Sequence, residues 1–129
     1  MGQQQHLLIV LGVIIVGIAI VVGINLFNAN AVSSNRDAVI SDLNNLAAMA
    51  HQYYMKPGTM GGGGNSYLNF AMPTGLSSNA NGTYSILTAG SSTGIVFQGV
   101  GTQLVGTNKV TAKINVVVPP LADSVIVVY

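Results

Sequence analysis

The side chains that can do acid–base or metal chemistry are few and widely spaced. The chain has two histidines, three acidic residues and no cysteine. His6 and His51 lie far apart in sequence, and neither has a carboxylate or a thiolate nearby in the sequence to complete a metal site. We therefore expect both histidines at a boundary or on a surface, and we expect no metal, no cofactor and no enzymatic activity.

Three short motifs resemble binding or modification signals. The four glycines at residues 61–64 lack the following Lys-Ser/Thr and the preceding strand of a phosphate loop, so a hinge or a close-packing loop is the better interpretation. The Met-Gly start is not a myristoylation signal, because His6 stands where that signal needs Ser or Thr. Asn81 begins an Asn-Gly-Thr triplet, which fits an N-glycosylation acceptor in a turn but also arises often by chance.

Charge and composition exclude several classes of partner. Four basic and three acidic side chains give a net charge of +1, which provides neither a basic stripe for nucleic acid nor an acidic tail. We therefore predict no nucleic-acid partner. The region after Pro57 is rich in Gly, Ser, Thr and Asn and holds three charged residues, which suits a surface kept soluble by hydroxyls and amides.

Residues 7–24 form an unbroken run of apolar residues and glycines near the start of the chain. About 18 such residues can span a membrane as a helix, and Leu26 and Phe27 extend the run to about 30 Å if Asn25 is tolerated. A removable secretory signal fits poorly, because no basic residue precedes the run and its length exceeds the usual ~7–15 residues. We expect this apolar run, which makes up most of the predicted membrane or filament-core half of the helix at residues 1–27, to stay with the mature chain.

A second helical pattern follows without a turn signal. Between residues 28 and 56 the apolar positions recur at steps of three and four, which indicates an amphipathic helix. Arg36, Asp37 and Asp42 fall largely outside that apolar set, and we expect them to be solvated. Since no proline precedes Pro57, the pattern predicts one helix from about residue 4 to 56, roughly 80 Å long. A break near residues 17–23 is the alternative, because each Gly costs about 1 kcal/mol against Ala.

Pro57-Gly58 ends the helical pattern and begins a different organisation. Residues 57–65 are predicted to form a Gly-rich loop and residues 66–129 a β-sheet domain. Short strands are expected at residues 67–72, 83–88, 93–98, 109–118 and 124–129, with turns at residues 79–82 and at Pro119-Pro120. An antiparallel meander packed on the apolar face of residues 28–56 would cover that face of the helix and one face of the sheet, giving an α+β fold.

This layout resembles that of type IV pilins and pseudopilins. The resemblance is closest at GQQQH before LLIVLGVIIVGIAIVVGI, and at NRDAVISDLNNLAAMAHQYY, where spaced Ala and Leu end in paired tyrosines. It covers about the first 56 residues. Three features depart from the family: only Met1 precedes Gly2 in place of a basic leader, the fifth position counted from Gln3 is Leu7 rather than the common Glu, and no carboxy-terminal disulfide exists. Gly2 and Gln3 are the candidate processing positions.

The resemblance implies the structural subunit of an extracellular, pilus-like filament with a role in surface attachment or motility. Such a subunit sits in the membrane before assembly, passes through a pilus assembly machinery and forms a homopolymer through its amino-terminal helix. The alternative is a single-pass, membrane-anchored pseudopilin or binding protein of a secretion system, which forms no long filament. The residues expected in the filament core or membrane are Leu7, Leu8, Ile9, Leu11, Ile14, Ile15, Ile18, Ile20, Val21, Ile24 and Phe27. Those expected to allow close helix packing are Gly12, Gly17, Ala19 and Gly23.

Overall fold

The computed structural model describes residues 2–118 and 123–128. Within these residues a single long helix is followed by a five-stranded antiparallel sheet, which confirms the predicted α+β class. The helix α1 spans Gly2–Met55, and the strands are β1 (Ser78–Asn79), β2 (Gly82–Thr88), β3 (Gly94–Val105), β4 (Asn108–Val117) and β5 (Ser124–Val128).

The helix α1 runs without interruption through its 54 residues, a length of about 80 Å at 1.5 Å per residue. The alternative prediction of a break near residues 17–23 is wrong, because those glycines are helical like their neighbours. The helix ends just before Pro57, where the restriction that proline places on the preceding residue disfavours a further turn. By length and composition α1 is able to cross a membrane.

The strands form a meander in which each pairs with the next in sequence, in the order β1-β2-β3-β4-β5. A tight turn containing Gly106 joins β3 to β4, and Gly106 has a φ of 64°, which glycine adopts at no steric cost. The strands predicted near residues 83–88, 93–98, 109–118 and 124–129 are confirmed, although β3 continues to Val105. The predicted turn at Pro119-Pro120 and the predicted strand end at Tyr129 lie outside the described residues.

The strand predicted at residues 67–72 is wrong. These residues form an irregular segment in which Asn69 has a φ of 63° and the amide of Phe70 donates to the carbonyl of Tyr67 over 3.1 Å. Their aromatic character reflects packing rather than strand formation, because Tyr67 is fully buried and Phe70 packs against the core. The first strand of the sheet is instead the short β1, which pairs with the start of β2.

The hydrophobic core lies between one face of the second half of α1 and one face of the sheet. Alternate residues of β3 and β4 point into it, among them Ile95 and Phe97 on β3 and Ala112, Ile114 and Val116 on β4. The helix contributes Val39, Leu43, Leu46, Ala47 and Ala50. Since each fully buried large side chain contributes about 1.5–3 kcal/mol, helix and sheet stabilise each other.

The Gly-rich loop packs tightly against the end of α1. A Cβ atom added at Gly62 would lie 2.2 Å from the carbonyl oxygen of Lys56, and one added at Gly63 would lie 1.8 Å from that of Ser66. The Gly63 amide donates to the Tyr53 carbonyl over 2.7 Å. Of the two interpretations of this loop, the structure therefore supports close packing.

Candidate assembly surface and the joint between helix and sheet

The apolar segment, residues 7–27 of α1, is uncovered on every side. Its sixteen large hydrophobic side chains range from 51% exposed at Val22 to 73% exposed at Phe27. Covering them would contribute about 1–2 kcal/mol for each side chain, or on the order of 20 kcal/mol in total. That sum exceeds the 5–15 kcal/mol that typically stabilises a folded domain, so this segment requires an apolar environment outside the subunit.

Small residues lie at intervals among the large side chains of the apolar segment. A Cβ added at Gly12, Gly17 or Gly23 would meet nothing within 4 Å, so no contact within the subunit requires these glycines. Gly12, Ala19 and Gly23 share one side of the helix, because their separations are close to whole numbers of turns, and Gly17 faces elsewhere. The predicted use of these four residues for close packing between helices stays a prediction.

The first turn of α1 is polar and uncharged. Gln3, Gln4, Gln5 and His6 are exposed, and His6 Nδ1 lies 2.5 Å from the carbonyl oxygen of Gly2. The expectation of a boundary histidine fits this position at the start of the apolar segment. Processing at Gly2 and Gln3 stays a prediction.

Asp42 fixes the turn between β1 and β2 to the helix. Its Oδ2 atom accepts hydrogen bonds from Asn79 Nδ2 at 2.9 Å, Asn81 Nδ2 at 3.0 Å and the Tyr84 hydroxyl at 2.5 Å. Burial alone would raise the pKa of Asp42, but the bonds from Tyr84, Asn81 and Asn79 outweigh it and hold that pKa below its ordinary value. Burial and the Asp42 carboxylate raise the pKa of Tyr84. The expectation of a solvated helix charge at Asp42 is therefore wrong.

Asn35 makes a second set of bonds about two helical turns before Asp42, on the same side of the helix. Its side-chain amide donates to the Asn81 carbonyl over 2.8 Å, while its Oδ1 accepts from the amides of Thr102 and Gln103. The strand β3 can approach because Gly101 has no side chain: a Cβ there would lie 2.1 Å from Asn35 Oδ1. These contacts, together with those of Asp42, form the joint between helix and sheet.

His51 does have a carboxylate partner, contrary to the expectation from sequence. Its Nε2 atom lies 2.9 Å from Asp123 Oδ2, and its Nδ1 atom lies 3.1 Å from the Tyr67 hydroxyl oxygen. That hydroxyl is also 2.9 Å from the carbonyl oxygen of Val117, and Asp123 Oδ1 accepts from the Val117 amide over 3.2 Å. Folding brings together residues 51 and 123, which no local spacing could relate. Among residues 2–118 and 123–128, no group of three or more His, Asp or Glu could hold a metal ion.

The aromatic residues pack against one another and the core. Phe70 meets Phe97 at 5.6 Å and Tyr53 at 5.3 Å, both edge-on, and Tyr54 lies 4.9 Å from Tyr67 between ring centroids. Such pairs are worth roughly 0.5–1.5 kcal/mol each beyond their burial. This arrangement matches the expected helix–sheet packing.

The candidate glycosylation position is engaged in the joint. Asn81 Nδ2, the atom that would carry a glycan, donates to Asp42, and the residue is half-buried. Attachment there would require that bond to open. Glycosylation of Asn81 stays a prediction, to be decided by the mass of the natural subunit.

No protein-family model, no curated protein and no solved structure matches this chain. We therefore infer the function of the chain from the geometry of the apolar segment and of the joint.

Proposed function

We propose that this chain is the structural subunit of an extracellular, pilus-like filament, which polymerises through the apolar segment and presents the sheet domain at its surface. The observation that carries the proposal is the continuity of α1. One helix contains both the apolar segment, which is exposed on all sides, and a second half that packs one face against the sheet. Nothing in this arrangement requires a substrate or a cofactor, and we propose no enzymatic activity.

The rigidity of the joint favours a filament over a simple membrane anchor. An anchor usually connects to its domain by a flexible linker, which leaves the domain free to turn. In this chain Asn35 and Asp42 bind the sheet within a few turns of the apolar segment. The helix is unbroken between the apolar segment and these two residues. The orientation of the helix therefore sets the orientation of the sheet, as a repeating assembly needs.

Assembly would replace lipid contacts by contacts between copies. A helix that is apolar on every side is stable first in a bilayer and then against identical helices. Contacts that repeat from copy to copy without closing generate a helical filament. We propose that the face holding Gly12, Ala19 and Gly23 allows neighbouring helices to approach closely, and that the Gln3, Gln4 and Gln5 cluster helps to set their register.

The second candidate is a membrane-anchored, pseudopilin-like protein that forms no long filament. For both candidates we propose a pilus or secretion machinery as the partner. The same apolar segment supports it, because a helix of this length and composition is able to cross a membrane. Filament formation is what separates the two candidates.

The test is to shear cells that produce the chain, examine the released material by negative-stain electron microscopy and identify its main subunit by mass spectrometry. We expect thin filaments composed of this chain. The intact mass also reports whether the mature subunit starts at Gln3 and whether Asn81 carries a glycan. Recovery of the chain only in the membrane fraction, with no filaments under conditions of good expression, would support the second candidate and contradict the first.

A further inference from the structure

Asn81 and Gly82 form the only Asn-Gly dipeptide of the chain. A glycine after an asparagine leaves its backbone nitrogen unshielded, because glycine has no side chain. That nitrogen is able to attack the side-chain amide of the asparagine, and asparagine is therefore one of the chemically labile residues of proteins. This dipeptide lies in the turn between β1 and β2, inside the joint between helix and sheet.

The packing of the joint requires both residues. Asn81 Nδ2 donates to Asp42 Oδ2 over 3.0 Å, and the Asn81 carbonyl accepts from Asn35 over 2.8 Å. Gly82 is buried, and a Cβ added there would lie 2.2 Å from the carbonyl oxygen of Val100. A residue with a side chain therefore does not fit at position 82. The labile dipeptide follows from the way this turn packs between the helix and the sheet.

Both reacting groups are held while the joint is closed. The reaction requires the Gly82 nitrogen to lose its hydrogen and to reach Asn81 Cγ. That N–H donates to Asn79 Oδ1 over 3.2 Å, while Asn81 Nδ2, the leaving group, donates to Asp42. The first bond stabilises the protonated nitrogen, and the second fixes the side-chain amide against the helix. The closed joint therefore opposes the reaction at both groups.

We propose that Asn81 is a site of spontaneous deamidation that the joint controls: the amide persists while the joint is closed and reacts when the joint opens. The Gly82 nitrogen bonds to Asn81 Cγ and loses its proton, the Cγ–Nδ2 bond breaks, and ammonia leaves with that proton. Water then adds to one carbonyl of the succinimide ring and breaks its bond to nitrogen, which gives aspartate or isoaspartate. Water is consumed and ammonia released, with no oxidation or reduction.

The product prevents the joint from closing as before. A carboxylate at position 81 has no hydrogen to donate to Asp42. Its oxygen would take the place of Nδ2, 3.0 Å from Asp42 Oδ2, where two negative charges repel each other. Asp42 then keeps Asn79 and Tyr84 as donors. Deamidation thus makes an opening of the joint irreversible. It does not depend on filament formation, so either proposal can fail while the other stands.

The test follows deamidation of the unglycosylated full chain in detergent micelles at mildly alkaline pH, by peptide mass spectrometry. We expect Asn81 to react at least about tenfold more slowly in the folded wild type than in the chain unfolded by urea, because reaction requires a local opening. Asp42→Asn should make the reaction about fivefold faster than in wild type, because the weakened bonds let the joint open more often. Asp37→Asn, at an exposed position of the same helix, should leave the rate unchanged.

Asn65 provides a reference in the same molecule. It is exposed, precedes Ser66 and lies in the Gly-rich loop outside the joint, so its rate should be the same in wild type and in Asp42→Asn. Equal rates for Asn81 in the folded and the unfolded wild type would overturn the proposal, and this comparison needs no variant. An unchanged Asn81 rate in Asp42→Asn, or equal acceleration of Asn81 and Asn65, would also overturn it, because the joint would then not control the reaction.

Asn81→Asp reproduces the aspartate product and tests its effect on the joint. Backbone amide exchange of β1 and of the start of β2 should be about tenfold less protected in this variant than in wild type, since a donor is lost and a like charge is added beside Asp42. Asn81→Ala, which removes the donor without adding a charge, should lose less protection. Equal protection in wild type and Asn81→Asp would overturn the claim that deamidation keeps the joint open.

Discussion

Ile18→Asp tests whether the apolar segment drives polymerisation. Ile18 is 61% exposed near the middle of the segment, so the substitution leaves the sheet domain untouched. A charged side chain at the centre of an apolar span costs roughly 2.5–3.5 kcal/mol on insertion scales, and the lost burial of isoleucine adds about 1–2 kcal/mol. The total of about 4–5 kcal/mol corresponds to roughly a thousandfold weaker addition of each subunit.

The assay measures the filament yield of cells that produce only the variant, by microscopy and by the amount of subunit in the sheared fraction. The membrane fraction is measured in parallel, to show that the chain is still made and inserted. We expect the filaments to disappear. Ser85→Asp is the matched control, because it adds the same charge at an exposed position of β2; its yield should stay normal. Normal yield from Ile18→Asp, or loss of filaments from both variants, would contradict this role of the apolar segment.

Further predictions concern the joint and the nature of the filament contacts. Asp42→Asn should lower the free energy of unfolding by about 1 kcal/mol, whereas Asp37→Asn, at an exposed position of the same helix, should change it little; thermal or denaturant unfolding in detergent measures both. Because folding lowers the pKa of Asp42, its contribution should be complete well above the ordinary value of 3.8 and lost as the pH falls below it, and wild type should therefore lose more stability in acid than Asp42→Asn. Gly101→Ala places a Cβ 2.1 Å from Asn35 Oδ1 and should cost about 1–3 kcal/mol, while Gly75→Ala, with nothing within 4 Å, should be nearly neutral. Since the apolar segment is uncharged, about 1 M salt at neutral pH should leave the filaments intact in sedimentation, because salt screens charges and not apolar packing.

The sequence predicts the helix well because local signals agree over its whole length. Apolar residues at three- and four-residue steps, the absence of proline before Pro57 and the Pro-Gly dipeptide after Lys56 all indicate the same element. The glycines at residues 12, 17 and 23 are compatible with helix, since a cost of about 1 kcal/mol each is small beside the burial that the segment requires.

The sheet is predicted less completely because its limits depend on tertiary contacts. Residues 67–72 resemble a strand in composition, but Tyr67 and Phe70 are held by the core and not by a neighbouring strand. Conversely, β3 continues through Gly99 and Gly101, where glycines oppose strand propensity, because the helix approaches too closely for a side chain: a Cβ at Gly99 would lie 2.7 Å from a methyl carbon of Val39.

The polar contacts of the joint could be anticipated only in part. Asn35 and Asp42 lie four residues before and three residues after the buried Val39, so helical spacing places both at the border of the packed face. Their partners lie on β1, β2 and β3 and in the turn between β1 and β2, at sequence distances that no motif spans. The pairing of His51 with Asp123 joins residues 72 positions apart and has no local signature.

We propose that the apolar segment is enclosed by copies of itself in a filament outside the cell. A helical reconstruction of sheared filaments by electron cryomicroscopy, at a resolution that shows side chains, tests it most directly. We predict α1 helices bundled around the filament axis, residues 7–27 enclosed on all sides by neighbouring subunits, and the sheet domains outermost. Filaments of this chain whose subunits touch through the sheet alone, with the apolar segment uncovered or held by lipid, would contradict this arrangement.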